Sequence, residues 1–250
     1  MSVEQPLVSI IMPAYNAELH IAESIESVIS QTYSNWELLI TDDRSTDNTQ
    51  QIINEYAIKD QRIRQFINEQ NGGAGVARNN SIKQANGRFI AFLDADDLWL
   101  PEKLTKQISF MLTNNYAFTF TAYQKLEQGE LRGTIKPPTF TNYNKLLSSN
   151  VIGCLTAVYD TNVLGKHYMP VIRKRQDMGL WLSLLKQVPK SYSLPDVLAL
   201  YRVDSGMTQN KFKILKWQWL FYRNVLELNI FRATYHFFIY SVKGFLKHST

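Results

Sequence analysis

The chain has one cysteine, Cys154, in 250 residues. That excludes an intrachain disulfide framework and any zinc site built from clustered cysteines. Histidine is also scarce. His20, His167, His236 and His248 stand far apart, and none forms an HExxH pair. No uncharged apolar stretch reaches the roughly 18 residues of a membrane-crossing helix. The opening Met-Ser-Val-Glu-Gln-Pro has no basic region, and the apolar run 7–12 is too short for a secretion signal. A secreted, metal-cluster or polytopic membrane protein is therefore not expected.

What is present is ordinary globular composition, 45% hydrophobic and 20% charged, enough for one large domain with a sizeable core. The charge is unevenly placed. Residues 211–250 hold seven basic side chains against Glu227 alone, a net +6 within a chain total of +5, so the first 210 residues carry −1. A nucleic-acid-binding body would carry a basic face of its own, so nucleic acid is not an expected partner.

Along the first hundred residues, strand and helix signals alternate. Short apolar runs at 7–12, 36–41, 62–67 and 88–93 predict buried strands, the first closed by Pro13. Apolar residues at helical spacing predict helices over 18–30, 46–58 and 74–85. This α/β alternation predicts a mostly parallel sheet covered by helices, with a ligand crevice beyond the strand C-termini. A helix is expected from Pro101 to Leu112, strands and loops after it, a helix over 177–187 and a strand over 197–203. The tail reads as one or two aromatic-rich helices.

Each polar cluster of interest follows an expected strand: Pro13-Ala14-Tyr15-Asn16, Asp42-Asp43, Asn71-Gly72-Gly73 and Asp94-Ala95-Asp96-Asp97. Parallel strands place all four along one sheet edge. Three carboxylates within four residues repel one another unless a cation compensates, which suits a hard divalent ion held partly by substrate phosphates. The plainer alternative for Asp94, Asp96 and Asp97 is a solvated turn capping a helix. Asp42 and Asp43 can cap the next helix or accept hydrogen bonds from base and ribose groups. Tyr15 can stack on a base or sit in the core. Gly73 opens a helix N-terminus that favours anions, with Arg78 available for a phosphate. Asp177 can cap the helix that bears Leu180 and Trp181.

These motifs together resemble the family 2 glycosyltransferases of the GT-A fold over about residues 5–210. The carrying segments are VSIIMPAYN (8–16), Gln31-Thr32-Tyr33, WELLITDDRSTDNT (36–49), NGGAGVARN (71–79), GRFIAFLDADDLWLP (87–101) and RQDMGLWL (175–182). The resemblance implies a nucleotide-sugar-binding half at 1–98, an acceptor and catalytic half at 99–210, and a basic, aromatic segment at 211–250. It implies base contacts from Pro13, Tyr15 and Asp43, and phosphate and ribose neighbours in Arg78 and Asp94. Asp96 would ligate Mn²⁺ or Mg²⁺ in the DXD motif, with Asp94 and Asp97 as further candidates, and Asp177 would be the catalytic base. Three departures stand out. Gln176 replaces a frequent Glu, Asp204 stands where a histidine is frequent beside Arg202, and the QxxRW motif of processive synthases is missing; Gln176, Arg202 and Asp204 are the candidates for contacts to the acceptor or the diphosphate.

The expectation is thus an inverting, non-processive transferase. It would move a hexose or N-acetylhexosamine from a UDP-sugar to an undecaprenyl-diphosphate-linked saccharide in surface-polysaccharide assembly. The tail would hold it on the anionic cytoplasmic face of the inner membrane. The competing readings are a nucleotidyltransferase, disfavoured because PAYNAE has no basic residue, and a non-catalytic sugar-nucleotide-binding scaffold.

Overall fold

A computed structural model describes residues 5–203 and 211–246, the side chains of 211–213 and 243–246 excepted. The four expected strands are β1 (Val8–Ala14), β2 (Trp36–Asp42), β3 (Ile63–Ile67) and β4 (Phe89–Phe92), separated by α1 (Ile21–Ile29), α2 (Thr49–Lys59) and α3 (Ala74–Gln84). They lie parallel in the order β3-β2-β1-β4. Side chains alternate across the sheet as strand geometry requires. Val8, Ile10 and Met12 join the core beneath α1 and α2, whereas Ile11 and Leu39 face the opposite core with Ile82 of α3.

Pro13 does not close β1, as the sequence reading expected. The strand runs through it, pairing Pro13 with Thr41 of β2. Pairing with β4 has already ended at Ile11, so the proline falls where one side of the strand has lost its neighbour. Helices α1 and α2 each start three residues later than expected, because the residues before them tie two strand-end loops together. Asn16 Oδ1 accepts from the Thr46 amide at 2.8 Å, and the Asn48 amide donates to Glu18 Oε2 at 3.0 Å.

The second half extends the same sheet. β5 (Leu98–Trp99) and α4 (Lys103–Asn114) lead to β6 (Phe118–Glu127), which pairs with β7 (Glu130–Ile135). β8 (Phe140–Thr141), α5 (Tyr143–Ser148), β9 (Val158–Asp160), α6 (Thr161–Leu164), α7 (Gln176–Leu184) and β10 (Ser191–Arg202) follow. β9 runs antiparallel between β4 and β6, and β10 lies parallel to β6. The sequence reading placed the start of β10 at 197. The strand begins at Ser191 and passes Pro195 through a register shift between Leu194 and Val197, the irregularity a proline imposes on a paired strand, and a second shift follows between Val197 and Leu200.

α7 positions the second half of the site. Trp181 is fully buried, edge-on to Phe92 with ring centroids 5.2 Å apart. Asp177 lies one turn earlier on the same helix face, so the anchored indole aims it inward.

The tail packs on this body. α8 (Lys211–Leu220) passes through a π-turn at Phe221–Val225 and a bend at Glu227 (φ 52°) into α9 (Ile230–Leu246). Tyr222 is fully buried and its hydroxyl donates to the Leu147 carbonyl. No helix among the described residues is long and apolar enough to cross a membrane.

Candidate functional site

The loops that leave β1, β2 and β4, with the N-terminus of α3, enclose a cavity of about 480 Å³. Pro13, Tyr15, Asn16, Asp43, Gly73, Arg78, Asp94, Ala95 and Asp96 all line it, so segments more than 80 residues apart in the chain meet at one edge. Tyr15 is 52% exposed at the rim, which leaves its ring face open. Gly73 (φ 82°) caps α3 in a conformation that glycine adopts without strain.

Asp43 braces this cavity. Its carboxylate accepts from Asn68 Nδ2 at 2.7 Å and from the amides of Gly72 at 2.9 Å and Gly73 at 2.6 Å. A carboxylate offers about four acceptor positions, so capacity remains for one more donor. Asp42 is not among the lining residues. Its side chain is buried and accepts from the Ser45 amide, the Ser45 hydroxyl and Gln50 Nε2, which makes it the cap of the turn after β2. Strand alternation is the reason: neighbours at a strand end point to opposite faces.

A second cavity, of about 360 Å³, opens on the other side of Asp94. Asp94, Asp97, Tyr123, Asn150, Cys154, Asp177 and Tyr201 line it, with Pro137 and Pro138 from the loop after β7. Asp177 accepts a hydrogen bond from Asn150 Nδ2 at 3.3 Å, and Asn150 Oδ1 accepts from the Ile152 amide at 3.2 Å, which fixes the orientation of the amide. Burial pushes the Tyr123 and Tyr201 hydroxyls and the Cys154 thiol above their usual ranges, so all three sit protonated at neutral pH.

Arg78 lines the first cavity and reaches the second only through Asp94, which borders both. It is 7% exposed, and its Nη2 donates to Asp94 Oδ1 at 2.5 Å while Nη1 reaches Gln176 Oε1 at 3.4 Å. Burial opposes its charge, but the nearby Asp94 and Asp177 carboxylates hold the guanidinium firmly protonated. Gln176 lies outside both cavities described so far and braces this arginine. A methyl added at Gly75 would meet its side chain at 2.9 Å.

Asp97 is buried, and its Oδ1 accepts the Arg202 amide at 2.9 Å. Burial, then Asp94 and Asp96, push its carboxyl well up. Arg202 clamps this turn, with Nε donating to the Asp96 carbonyl at 2.9 Å and Nη2 to Glu23 at 2.6 Å. Asp204 lies outside the described residues. Sequence reasoning missed Tyr123, Asn150 and Tyr201, which carry no motif and reach the site only through sheet pairing and the turn after α5.

Among the described residues, no three His, Cys, Asp or Glu side chains converge to hold a metal unaided. A shared site is a different case. Asp94 and Asp96 border the donor-side cavity, and Asp94, Asp96 and Asp97 crowd three carboxyls into four residues with Arg78 paired to Asp94 alone. One or two carboxylates completed by substrate phosphates suit Mg²⁺ or Mn²⁺, and the residues fit such an ion.

Known proteins share both the pattern and the architecture. The model of "Glycosyl transferase family 2" matches residues 9–160. WfgD of Escherichia coli, a UDP-Glc:alpha-D-GlcNAc-diphosphoundecaprenol beta-1,3-glucosyltransferase, is 44% identical over 245 residues, covering 97% of this chain and 95% of its own. WfaP of Escherichia coli, described in the same words, is 39% identical over 246 residues, covering 97% and 95%. In fold, the crystal structure of S. aureus TarS 1-349 in complex with UDP-GlcNAc superposes with a TM-score of 0.70 at 22% identity, over 87% of this chain and 66% of that one. The matched span includes all four strand-end clusters, the near-full-length relatives extend through α7 and the tail, and the shared fold accounts for both. The chain belongs to glycosyl transferase family 2.

Proposed function

We propose that the protein is an inverting, non-processive transferase that moves a hexose or N-acetylhexosamine from a UDP-sugar to an undecaprenyl-diphosphate-linked saccharide in surface-polysaccharide assembly. One observation carries the reading. Asp94 borders both cavities, with Asp96 on one side and Asp177 on the other, so a leaving group and an incoming hydroxyl can meet at a single anomeric carbon. The names of WfgD and WfaP support the donor and acceptor classes.

In this reading the uracil lies on Tyr15, with its N–H toward the remaining acceptor capacity of Asp43. Asp96, with Asp94, would hold a divalent ion that offsets charge on the departing diphosphate. The acceptor enters between Tyr123, Tyr201 and the 137–138 loop. Asp177 takes the proton from its attacking hydroxyl as the oxygen bonds to the anomeric carbon and the bond to the diphosphate breaks. Attack opposite the leaving group inverts the anomeric centre. Arg78, buried beside Asp94 in the donor-side cavity, keeps the carboxylates from repelling the diphosphate.

The tail supports peripheral attachment at the cytoplasmic face. α9 packs inward through Ala233 and His236 yet leaves Phe231 84% and Phe238 68% exposed. The packing and the surface-attachment expectations for this segment are therefore compatible.

The direct test incubates the protein with a panel of nucleotide sugars and a synthetic lipid-diphosphate GlcNAc acceptor, with and without EDTA. Product mass names the sugar. A product retaining the donor's anomeric configuration would refute inversion, and full EDTA resistance would refute the metal role of Asp96.

A further inference from the structure

Between α5 and α9 lies a cleft of about 630 Å³, larger than the donor-side cavity and unused by the chemistry above. Lys145 and Ser148 line it from α5, and Phe231, Arg232, Tyr235 and His236 from α9. The two helices are joined by a hydrogen bond of 2.9 Å between Ser148 Oγ and His236 Nδ1, which sets the width of the cleft.

Its cations have no acidic partner among the described residues. Lys145 and Arg232 are exposed and line the cleft, and Lys190 is exposed and shares the Phe140 ring with Lys145. The Lys145 and Lys190 ammonium groups approach the same ring, Phe140, at 3.9 and 4.4 Å from its centroid. None of the three forms an ion pair with a described residue. An aromatic face is a weak partner for one ammonium, and here two share it.

The cleft adjoins an apolar stripe. Phe231, Tyr235, Phe238 and Val242 follow one another at helical spacing and are 84%, 63%, 68% and 41% exposed. The opposite face of α9 supplies its packing, through Ala233, His236 and the edge-on contact of Phe237 with Trp219 at 5.4 Å. The stripe is thus surplus to what holds the helix in place.

We propose that the α5–α9 cleft is a headgroup site for an anionic bilayer phospholipid, with Lys145 and Arg232 donating to its phosphodiester while the Phe231–Val242 stripe enters the acyl boundary. Charge complementarity selects this occupant. Cations without acids meet a phosphate, and aromatic side chains beside them lie at headgroup depth. The inference rests on the peripheral attachment proposed above but places part of it on the catalytic body, in α5, rather than on the tail alone.

The test is co-sedimentation of the full chain with phosphatidylcholine vesicles, with and without phosphatidylglycerol. Wild type is expected to prefer the phosphatidylglycerol vesicles. Lys145→Gln with Arg232→Gln should weaken that binding about 10- to 30-fold, given that each cation near an anionic surface is worth about fivefold. Lys59→Gln with Lys125→Gln removes the same charge from other exposed positions and should change binding far less. Circular dichroism and UDP binding should be unchanged in both double variants. Equal losses in the two double variants, or none in the first, would overturn the headgroup site. Competition by millimolar inorganic phosphate would instead assign the cleft to free anions and overturn the lipid. If wild type ignores both vesicles, peripheral attachment falls too. If Phe231→Ser with Phe238→Ser abolishes binding while the cation variant does not, attachment stands and only the headgroup site fails.

Discussion

On the donor side of Asp94, backbone and side chains lock one another. Asp43 fixes the glycine turn with two amides, Asn16 and Glu18 stitch the loops after β1 and β2, and Arg202 clamps the Asp96–Asp97 turn. On the acceptor side, Asp177 accepts a single hydrogen bond at 3.3 Å, and tyrosines and prolines from separate loops make the walls. The donor cavity is organised before substrate arrives. The acceptor cavity has its base in place but lacks the short contacts that a substrate would complete, as catalytic hydrogen bonds in ligand-free enzymes often do.

Arg78 is where the two sides depend on each other, and Arg78→Met should break both. It strands Asp94 beside Asp96 and Asp97 without its cation. Removing one partner of a fully buried pair costs about 3–5 kcal/mol, but Asp94 keeps 30% of its side chain exposed, so a loss of about 1–3 kcal/mol is expected. Urea unfolding should show that loss, and turnover should vanish. A variant of wild-type stability would mean that the cavities are independent.

Lys103 tests the seam between the halves. It is fully buried at the start of α4, bonded to Gln107, which in turn reaches Thr119 and the Thr156 carbonyl. Burial lowers its pKa from 10.5 to about 7. Between those values the unfolded chain binds the proton and the folded chain does not, so stability rises with pH across that window. Below about pH 7 both states are charged and the folded state carries the whole penalty. Lys103→Met should therefore be most favourable relative to wild type at pH 6, and should lose on the order of 4 kcal/mol of that advantage by pH 10. A difference independent of pH would refute the lowered pKa of this buried lysine.

Asn150→Ala sharpens the acceptor side. It frees Asp177 without touching the donor loops, so kcat should fall about tenfold, near the worth of one hydrogen bond to a charged group. UDP affinity should stay constant. Tyr15→Ala should do the reverse and more gently, weakening UDP binding by about fivefold, the lower range for loss of one base-stacking ring. Calorimetry with UDP and steady-state kinetics separate the two.

The sequence made the donor side legible for the same reason that the structure holds it tightly. Parallel strands with short βα loops bring four polar clusters to one edge, and local patterning is enough to find them. Pairing beyond β4 is nonlocal. The strand at 158–160 that joins the two halves of the sheet is three residues long and has no signature of its own, so Tyr123, Tyr201 and Asn150 could not be placed by spacing. Asp42 looked equivalent to Asp43 in one dimension, and only strand alternation separates a turn cap from a cavity wall. Tail helicity was legible, but the division of α9 into a packed and an open face depends on what α5 presents to it.

The central claim is that Asp177 activates the acceptor while the donor station works without it. The direct measurement is Asp177→Asn, assayed for turnover with the lipid-diphosphate acceptor and by calorimetry for UDP. The account predicts a loss in kcat of about 10²- to 10⁴-fold, the range for general-base catalysis, with UDP affinity unchanged. Near-normal turnover in a folded variant would contradict it.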